Sequence, residues 1–155
     1  MGSFVAELLA GIEAGDDEAV LAACEYADAF RLEGFKPFPP FDERLRAEPP
    51  TAEGLAKIKE ALLDNLKSFA QPRPRIYTAL GKIGDPELVP VLRAALTQKL
   101  RDLLDQNGTL STLIIALDNC GEKIVSGNSH GPMEMEKMVA DARAYLKRFG
   151  QIFPW

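Results

Sequence analysis

The fold is decided by the stretch Ala79-Leu80-Gly81-Lys82-Ile83-Gly84-Asp85-Pro86-Glu87-Leu88-Val89-Pro90-Val91-Leu92. A helical pattern ends in it, because Leu80 and Ile83 are apolar at helical spacing. Gly84 suits the left-handed residue just past a helix end, since it has no Cβ. Asp85 can cap a following helix, and Pro86 suits the first position, where no N–H is needed. The stretch therefore predicts two antiparallel helices joined by a tight turn.

The same stretch resembles the HEAT-like repeat of the phycobilisome-lyase type, whose pattern reads Ala-Leu-Gly-x-Ile-Gly-Asp-Pro, then apolar residues, a Pro and a Leu. Arg73 stands where that repeat carries Arg, so one clear repeat covers residues 73–96. A degenerate copy covers residues 110–149, where Ala116 to Glu122 echo the pattern 37 residues later. The resemblance implies a short right-handed α-solenoid of helical hairpins. It implies little about chemistry, because such repeats occur in many unrelated proteins.

Apolar residues at helical spacing predict about seven helices in total. Their predicted ranges are 3–14, 16–32, 52–69, 74–82, 86–106, 110–120 and 133–149. Residues 35–50 are rich in proline, which predicts an extended connector without a regular helix. We expect its three rings, Phe35, Phe38 and Phe41, to pack against the helices, because exposed rings would form an apolar patch. No stretch alternates as a strand does, so we expect one all-α domain over residues 1–155.

The composition favours a cytoplasmic protein. The chain has 155 residues, of which 46% are hydrophobic, and no apolar run reaches the roughly 20 residues of a membrane span. The N-terminus has no basic stretch followed by an apolar one, as a secretory signal would. Cys24 and Cys120 lie in apolar helical patterns, and we expect both to be reduced core thiols. The predicted buried stripe around Cys24 also contains Val20, Ala27 and Phe30.

The charge is distributed unevenly along the chain. Residues 1–70 hold 14 acidic and 7 basic side chains, a net charge of −7, whereas residues 71–155 hold 9 acidic and 11 basic ones, a net charge of +2. An acidic surface attracts a basic partner over long range, so we expect another protein with a basic surface as the partner. Nucleic acid is not expected, because the cationic residues form only a modest strip: Arg73, Arg75, Lys82, Arg93, Lys99 and Arg101.

Motifs that carry chemistry are sparse. His130 is the only histidine, and its neighbour Ser129 shares a polar loop, where adjacent side chains rarely align for proton transfer. The sequence has neither Cys-x-x-Cys nor His-Glu-x-x-His, and no acidic residues stand at calcium-loop spacing. We therefore predict no catalytic residue, no metal site and no cofactor.

The function that we expect is a non-catalytic module that binds another protein through a helical-repeat surface. One alternative is a bacterial immunity protein that neutralises a toxin partner, and another is an enzyme or nucleic-acid-binding protein of the HEAT-like class. The oligomeric state stays open. The candidate binding residues are acidic side chains of the first half, two arginines, two loop residues and the last residue: Glu25, Asp28, Glu33, Asp42, Glu43, Arg93, Arg101, Asn128, His130 and Trp155.

Overall fold

The computed structural model describes residues 3–68, 74–102, 109–124 and 135–151. Within these ranges the chain forms eight α-helices, one short 3-10 helix and no strand, which confirms the all-α prediction. The helices are α1 (Phe4–Glu13), α2 (Asp17–Arg31), α3 (Pro39–Ala47), α4 (Ala52–Ser68), α5 (Pro74–Ile83), α6 (Val89–Asp102), α7 (Thr109–Asn119) and α8 (Met135–Lys147). In this described part, none is both long enough and apolar enough to cross a bilayer.

The helices belong to two compact units, Met1–Ile83 and Gly84–Trp155. The turn that begins the second unit has the local chemistry predicted from the sequence. Gly84 has a φ of 66°, and the Asp85 Oδ1 accepts a hydrogen bond from the Glu87 N–H at 2.9 Å. Pro86–Leu88 form the 3-10 helix, so α6 begins three residues later than predicted. This start leaves Pro90 in the first turn of α6, where its missing N–H costs nothing.

The first unit packs α1, α2, α4 and α5 around one apolar core. Its fully buried side chains include Ile12, Val20, Tyr26, Ile58, Leu62, Ile76 and Leu80. Thr51 caps α4, because its Oγ1 accepts from the Gly54 N–H at 2.9 Å. At Gly54, α4 passes so close to α2 that a Cβ would lie 2.1 Å from the Tyr26 hydroxyl. Glycine is therefore the residue that fits this crossing.

The extended connector predicted for residues 35–50 is wrong, because α3 occupies Pro39–Ala47. Its prolines stand at the first helical positions, where a helix needs no N–H and where φ is already suitable. The prediction treated these prolines as if they stood in a helix interior, where proline breaks the helix. The prediction that Phe38 packs against the helices is also wrong, because its side chain is 61% exposed. Phe30, expected in the buried stripe of α2, is 44% exposed.

The second unit packs α6, α7 and α8 together. Its core is built mostly of leucines: Leu88, Leu92, Leu96, Leu113, Leu117 and Leu146 are almost fully buried. Cys120 is buried here, and Cys24 of the first unit is partly buried. Neither forms a disulfide, as the sequence predicted.

Candidate functional site

Three large apolar side chains are exposed along the outer side of α2 and at the start of α3. Leu21 is 41% exposed, Leu32 is 51% exposed and Phe38 is 61% exposed. Leu21, Glu25, Asp28 and Leu32 follow the i, i+4, i+7, i+11 spacing that places residues on one side of a helix. Phe38 joins them because its backbone N–H donates a hydrogen bond to the Glu25 carboxylate. We call these five residues the α2–α3 face.

Glu25, selected as a candidate binding residue, is the buried member of the α2–α3 face. Its side chain is 7% exposed, and its Oε2 has no hydrogen-bond partner among the described residues. Burial raises the pKa of the Glu25 carboxyl above its ordinary value, while the Phe38 N–H and the Lys82 ammonium oppose this and the Asp28 carboxylate adds to it. One oxygen of the Glu25 carboxyl therefore accepts a hydrogen bond, and a hydrogen-bond donor would stabilise the other.

The Lys82 ammonium group interacts with both carboxyl groups of this face. The Lys82 Nζ on α5 lies 3.2 Å from the Asp28 Oδ2, and the Asp28 side chain is only 13% exposed. Arg31 does not add to this pairing, because its Nη1 donates to the backbone oxygens of Gly81 and Lys82 at the end of α5. Among the described residues, the two carboxyl groups of the α2–α3 face therefore share the Lys82 ammonium group.

The remaining acidic candidates of the first unit lie just after α2 or on α3. Asp42 pairs with Arg46 one turn along the helix, with 2.7 Å between Oδ2 and Nη2. Glu33 and Glu43 are exposed. Acidic side chains thus continue past Phe38, but one of them is already paired within its own helix.

The Arg93 side chain bonds to other residues of the second unit. Its Nε donates to the Tyr145 Oη at 3.1 Å, and its Nη2 lies 3.0 Å from the Glu122 Oε1. The guanidinium also lies 3.5 Å from the centre of the Phe149 ring. Burial raises the pKa of Tyr145, and the hydrogen bond from Arg93 opposes that shift. Through these contacts, Arg93 connects α6 to α8 and to the residues that follow α7.

Of the last four candidate binding residues, only Arg101 lies within the described residues. Arg101 donates from Nη2 to the Gln151 Oε1 at 2.9 Å, in an exposed position. Asn128, His130 and Trp155 lie outside the described residues. The structure therefore brings Glu25 and Asp28 together on one helix, and it brings Arg93 together with residues that the sequence analysis did not select. The residues of the α2–α3 face that the sequence analysis missed are Leu21, Leu32 and Phe38. Their only signals were the helical spacing of the two leucines with Glu25 and Asp28, and the position of Phe38 before two prolines.

A cleft of about 440 Å³ separates parts of α1 and α4 in the first unit. It is lined by Leu9, Glu13, Lys57, Glu60, Ala61, Asp64 and Asn65. The Asn65 Nδ2 donates to the Ile12 backbone oxygen at 2.8 Å, which satisfies a carbonyl at the end of α1. Among the described residues, no three His, Cys, Asp or Glu side chains are grouped so that they could hold a metal ion.

No protein-family model matches the sequence. No curated protein and no solved structure matches it either. The site must therefore be interpreted from its own geometry and charge.

Proposed function

We propose that this chain is a non-catalytic module that binds another protein through the α2–α3 face. The observation that carries the proposal is the exposure of three large apolar side chains, Leu21 and Leu32 on or next to α2 and Phe38 at the start of α3. Burying apolar surface contributes about 25 cal/mol per Å², so a partner that covers these side chains gains from each of them. Exposed apolar clusters rimmed by polar groups are typical of protein interaction sites.

The partner that we propose has a basic surface. Asp28 and Glu25 supply two carboxyl groups within the α2–α3 face, and Glu33, Asp42 and Glu43 follow along the chain. Residues 1–70, which include this face, carry a net charge of −7. A charge of this size raises the association rate with a basic partner and slows association with an acidic one.

The proposed architecture is a short right-handed solenoid of HEAT-like hairpins. Its support is the sequence resemblance around Gly84–Asp85–Pro86 and the helical pattern of the described residues. Solenoids bind proteins through broad surfaces that successive helices supply, which agrees with a binding role. We also propose that the module acts in the cytoplasm, where reduced thiols such as Cys24 and Cys120 are usual.

The experiment is a co-purification from the native host with three matched proteins. The first is the wild type, the second carries Leu21→Ser, Leu32→Ser and Phe38→Ser, and the third carries Val91→Ser and Ile115→Ser. Val91 and Ile115 are 38% and 51% exposed in the second unit, so they control for the loss of exposed apolar side chains elsewhere. We expect the wild type and the control to retain a stoichiometric partner at mild salt, and the α2–α3 variant to lose it.

Cross-linking with mass spectrometry then locates the contact. Cross-links from Lys36, which follows α2, and from Lys82, which lies beside Asp28, are expected to reach the partner. A partner that the α2–α3 variant retains, or cross-links found only in the second unit, would contradict the proposal. A captured toxin would make the immunity role the specific form of this function.

A further inference from the structure

We infer that the α2–α3 face contains a subsite for a single cationic side chain of the partner, an arginine or lysine received between Glu25 and Asp28 beside the ring of Phe38. This inference rests on the proposed function, because it names which group of the bound protein enters the face. It goes further, since it predicts a defined recognition element rather than general attraction between charged surfaces.

The first observation is the unsatisfied oxygen of Glu25. The Glu25 Oε2 is out of contact with solvent and has no partner among the described residues, although the side chain is 7% exposed. A buried polar atom without a hydrogen bond costs roughly 1 to 3 kcal/mol, and more when the group is charged. A cationic donor that reaches this oxygen removes that cost, so the oxygen favours a cation over a neutral group.

The second observation is the charge balance around this oxygen. Asp28 stands one turn after Glu25 on α2, and the Lys82 ammonium group is 3.2 Å from the Asp28 carboxylate. Lys82 also lowers the pKa of the Glu25 carboxyl, but burial outweighs it. One ammonium group therefore neutralises one carboxylate, and the second carboxylate is the charge that an incoming arginine or lysine would neutralise.

The third observation is the position of Phe38. Its backbone N–H bonds to the Glu25 carboxylate, so its side chain starts beside the same group. The ring is 61% exposed, and little packing therefore holds it in place. Movement of this ring admits the cation to the Glu25 Oε2, and the ring face then stacks on the guanidinium or ammonium group. Leu21 and Leu32 bind the apolar residues that flank the cation.

The subsite is tested with synthetic peptides, because they supply the proposed chemistry in a known form. The probe is an acetylated and amidated amphipathic helical peptide with leucines on one side and a single central arginine. A second peptide carries citrulline, which has the shape of arginine without its charge, and a third carries glutamate. Binding is measured by calorimetry, and its location is measured from amide chemical shifts of the full chain.

We expect the arginine peptide to bind about tenfold more tightly than the citrulline peptide and to shift the amides of Leu21, Glu25 and Phe38. In Glu25→Gln, the preference for arginine over citrulline should fall to about twofold or less. Glu53→Gln removes a highly exposed acid of α4, outside the α2–α3 face, and should retain the preference. Asp28→Asn supplies a second test of the carboxylate pair if Glu25→Gln is poorly folded.

The pH dependence supplies an independent readout. The cation binds the ionised carboxyl of Glu25, which faces Phe38 from the loop, Asp28 and Cys24 from α2, and Lys82 from α5. The arginine preference should therefore increase as the pH rises through the raised pKa of Glu25, and it should be independent of pH in Glu25→Gln.

Two outcomes would overturn the subsite. The arginine and citrulline peptides bind equally well at the α2–α3 face, or no peptide shifts these amides at concentrations up to about 1 mM. Neither outcome decides the proposed function, because the co-purification with the serine variants tests it separately. Protein binding at the α2–α3 face without any preference for a cation would retain the function and discard the subsite.

Discussion

The carboxylate of Glu48, which directly follows α3, caps the start of α1. Its Oε1 accepts from the Phe4 N–H at 3.0 Å, and its Oε2 lies 3.4 Å from the Val5 backbone nitrogen. The next N–H, that of Ala6, donates to the Ser3 Oγ at 3.0 Å. The first three N–H groups of α1 therefore have side-chain acceptors, and two of them depend on Glu48, which is 44 positions from Phe4 and 43 from Val5. A negative charge at a helix N-terminus is also favoured by the helix dipole.

Replacing Glu48 with alanine is expected to lower the free energy of unfolding by about 1 to 2 kcal/mol, because two N–H groups lose their acceptor. Glu48→Gln keeps one acceptor oxygen without the charge, and we expect about half of that loss. Urea denaturation followed by circular dichroism measures both. Glu43→Ala is the matched control, since Glu43 lies exposed on the adjoining helix and should change stability by less than about 0.5 kcal/mol. Equal effects at the two positions would contradict the capping role.

The sequence predicted the turns better than it predicted α3. Gly84 and Asp85 act through their own φ value and a hydrogen bond two residues away, so local chemistry was sufficient to identify them. The helix α3 instead connects to partners far along the chain, with Glu25 bonded to Phe38 and Glu48 bonded to Phe4. A single sequence without a structure does not show which distant carboxylate reaches a helix end.

The close approach of Gly54 and Tyr26 predicts a coupled pair. The Tyr26 hydroxyl accepts from the Thr51 N–H at 3.0 Å, and it occupies the space that a Cβ at position 54 would need. Gly54→Ala should therefore lower stability by about 1 to 3 kcal/mol, despite the better helix propensity of alanine. Tyr26→Phe removes the hydroxyl and its hydrogen bond, at a cost of about 1 kcal/mol.

In the double variant, the alanine methyl group takes the space left by the hydroxyl. The double variant should then be about 1 kcal/mol more stable than the sum of the two single effects predicts, because residues in contact couple. A double-mutant cycle of urea denaturations measures this coupling. Additive effects would mean that the main chain shifts to relieve the contact and that Tyr26 does not limit position 54.

The raised pKa of Glu25 predicts how stability depends on pH. Burial is the main cause of that shift, so the folded state favours the protonated carboxyl. Its contribution to stability is therefore complete below the unfolded pKa and is lost as the pH rises through the higher folded pKa. Glu25→Gln removes this titration while its amide oxygen can still accept from the Phe38 N–H.

The free energy of unfolding of Glu25→Gln, relative to wild type, should therefore increase as the pH rises from below the ordinary carboxyl pKa of 4.5 through the raised pKa of folded Glu25. The change favours the variant at the higher pH, because the wild type must ionise a buried carboxyl there and the variant does not. Urea denaturation at several pH values measures it, with Glu33→Gln as the control that should follow the wild type. A difference that stays constant with pH would show that Glu25 does not titrate with a raised pKa.

Cys24 is expected to be a slow nucleophile. Burial raises its pKa to about 11, although the nearby Lys82 opposes the shift. About 0.1% of such a thiol is ionised at pH 8, against roughly a quarter of a free cysteine, and only the thiolate reacts with alkylating reagents. In a Cys120→Ala background, iodoacetamide should therefore modify folded Cys24 at least 100-fold more slowly than the urea-unfolded chain. Rates within tenfold of each other would contradict the raised pKa.

Arg93 shows why charged residues were the least predictable part of the candidate site. Arg93 lies on α6, far along the chain from its partners. No local sequence pattern connects it to Glu122, or to the ring pair of Tyr145 on α8 and Phe149 just after α8. Arg93 was selected as an exposed position on the predicted helix over residues 86–106, which we expected to line the binding surface. Its internal contacts with a carboxylate, a hydroxyl and a ring predict a structural role that can be measured directly.

Arg93→Lys keeps the positive charge but cannot bond to Tyr145 and Glu122 at once while stacking on Phe149, since the planar fork is lost. We expect a loss of about 1 to 2 kcal/mol in the free energy of unfolding, and Arg93→Met should lose about 2 kcal/mol or more because it leaves Glu122 without its cation. Arg101→Lys is the matched control on the same helix, because Arg101 makes an exposed contact with Gln151 and should change stability by less than about 0.5 kcal/mol. Stability in Arg93→Lys equal to that of the control would mean that the charge alone, rather than the guanidinium geometry, supports this part of the second unit.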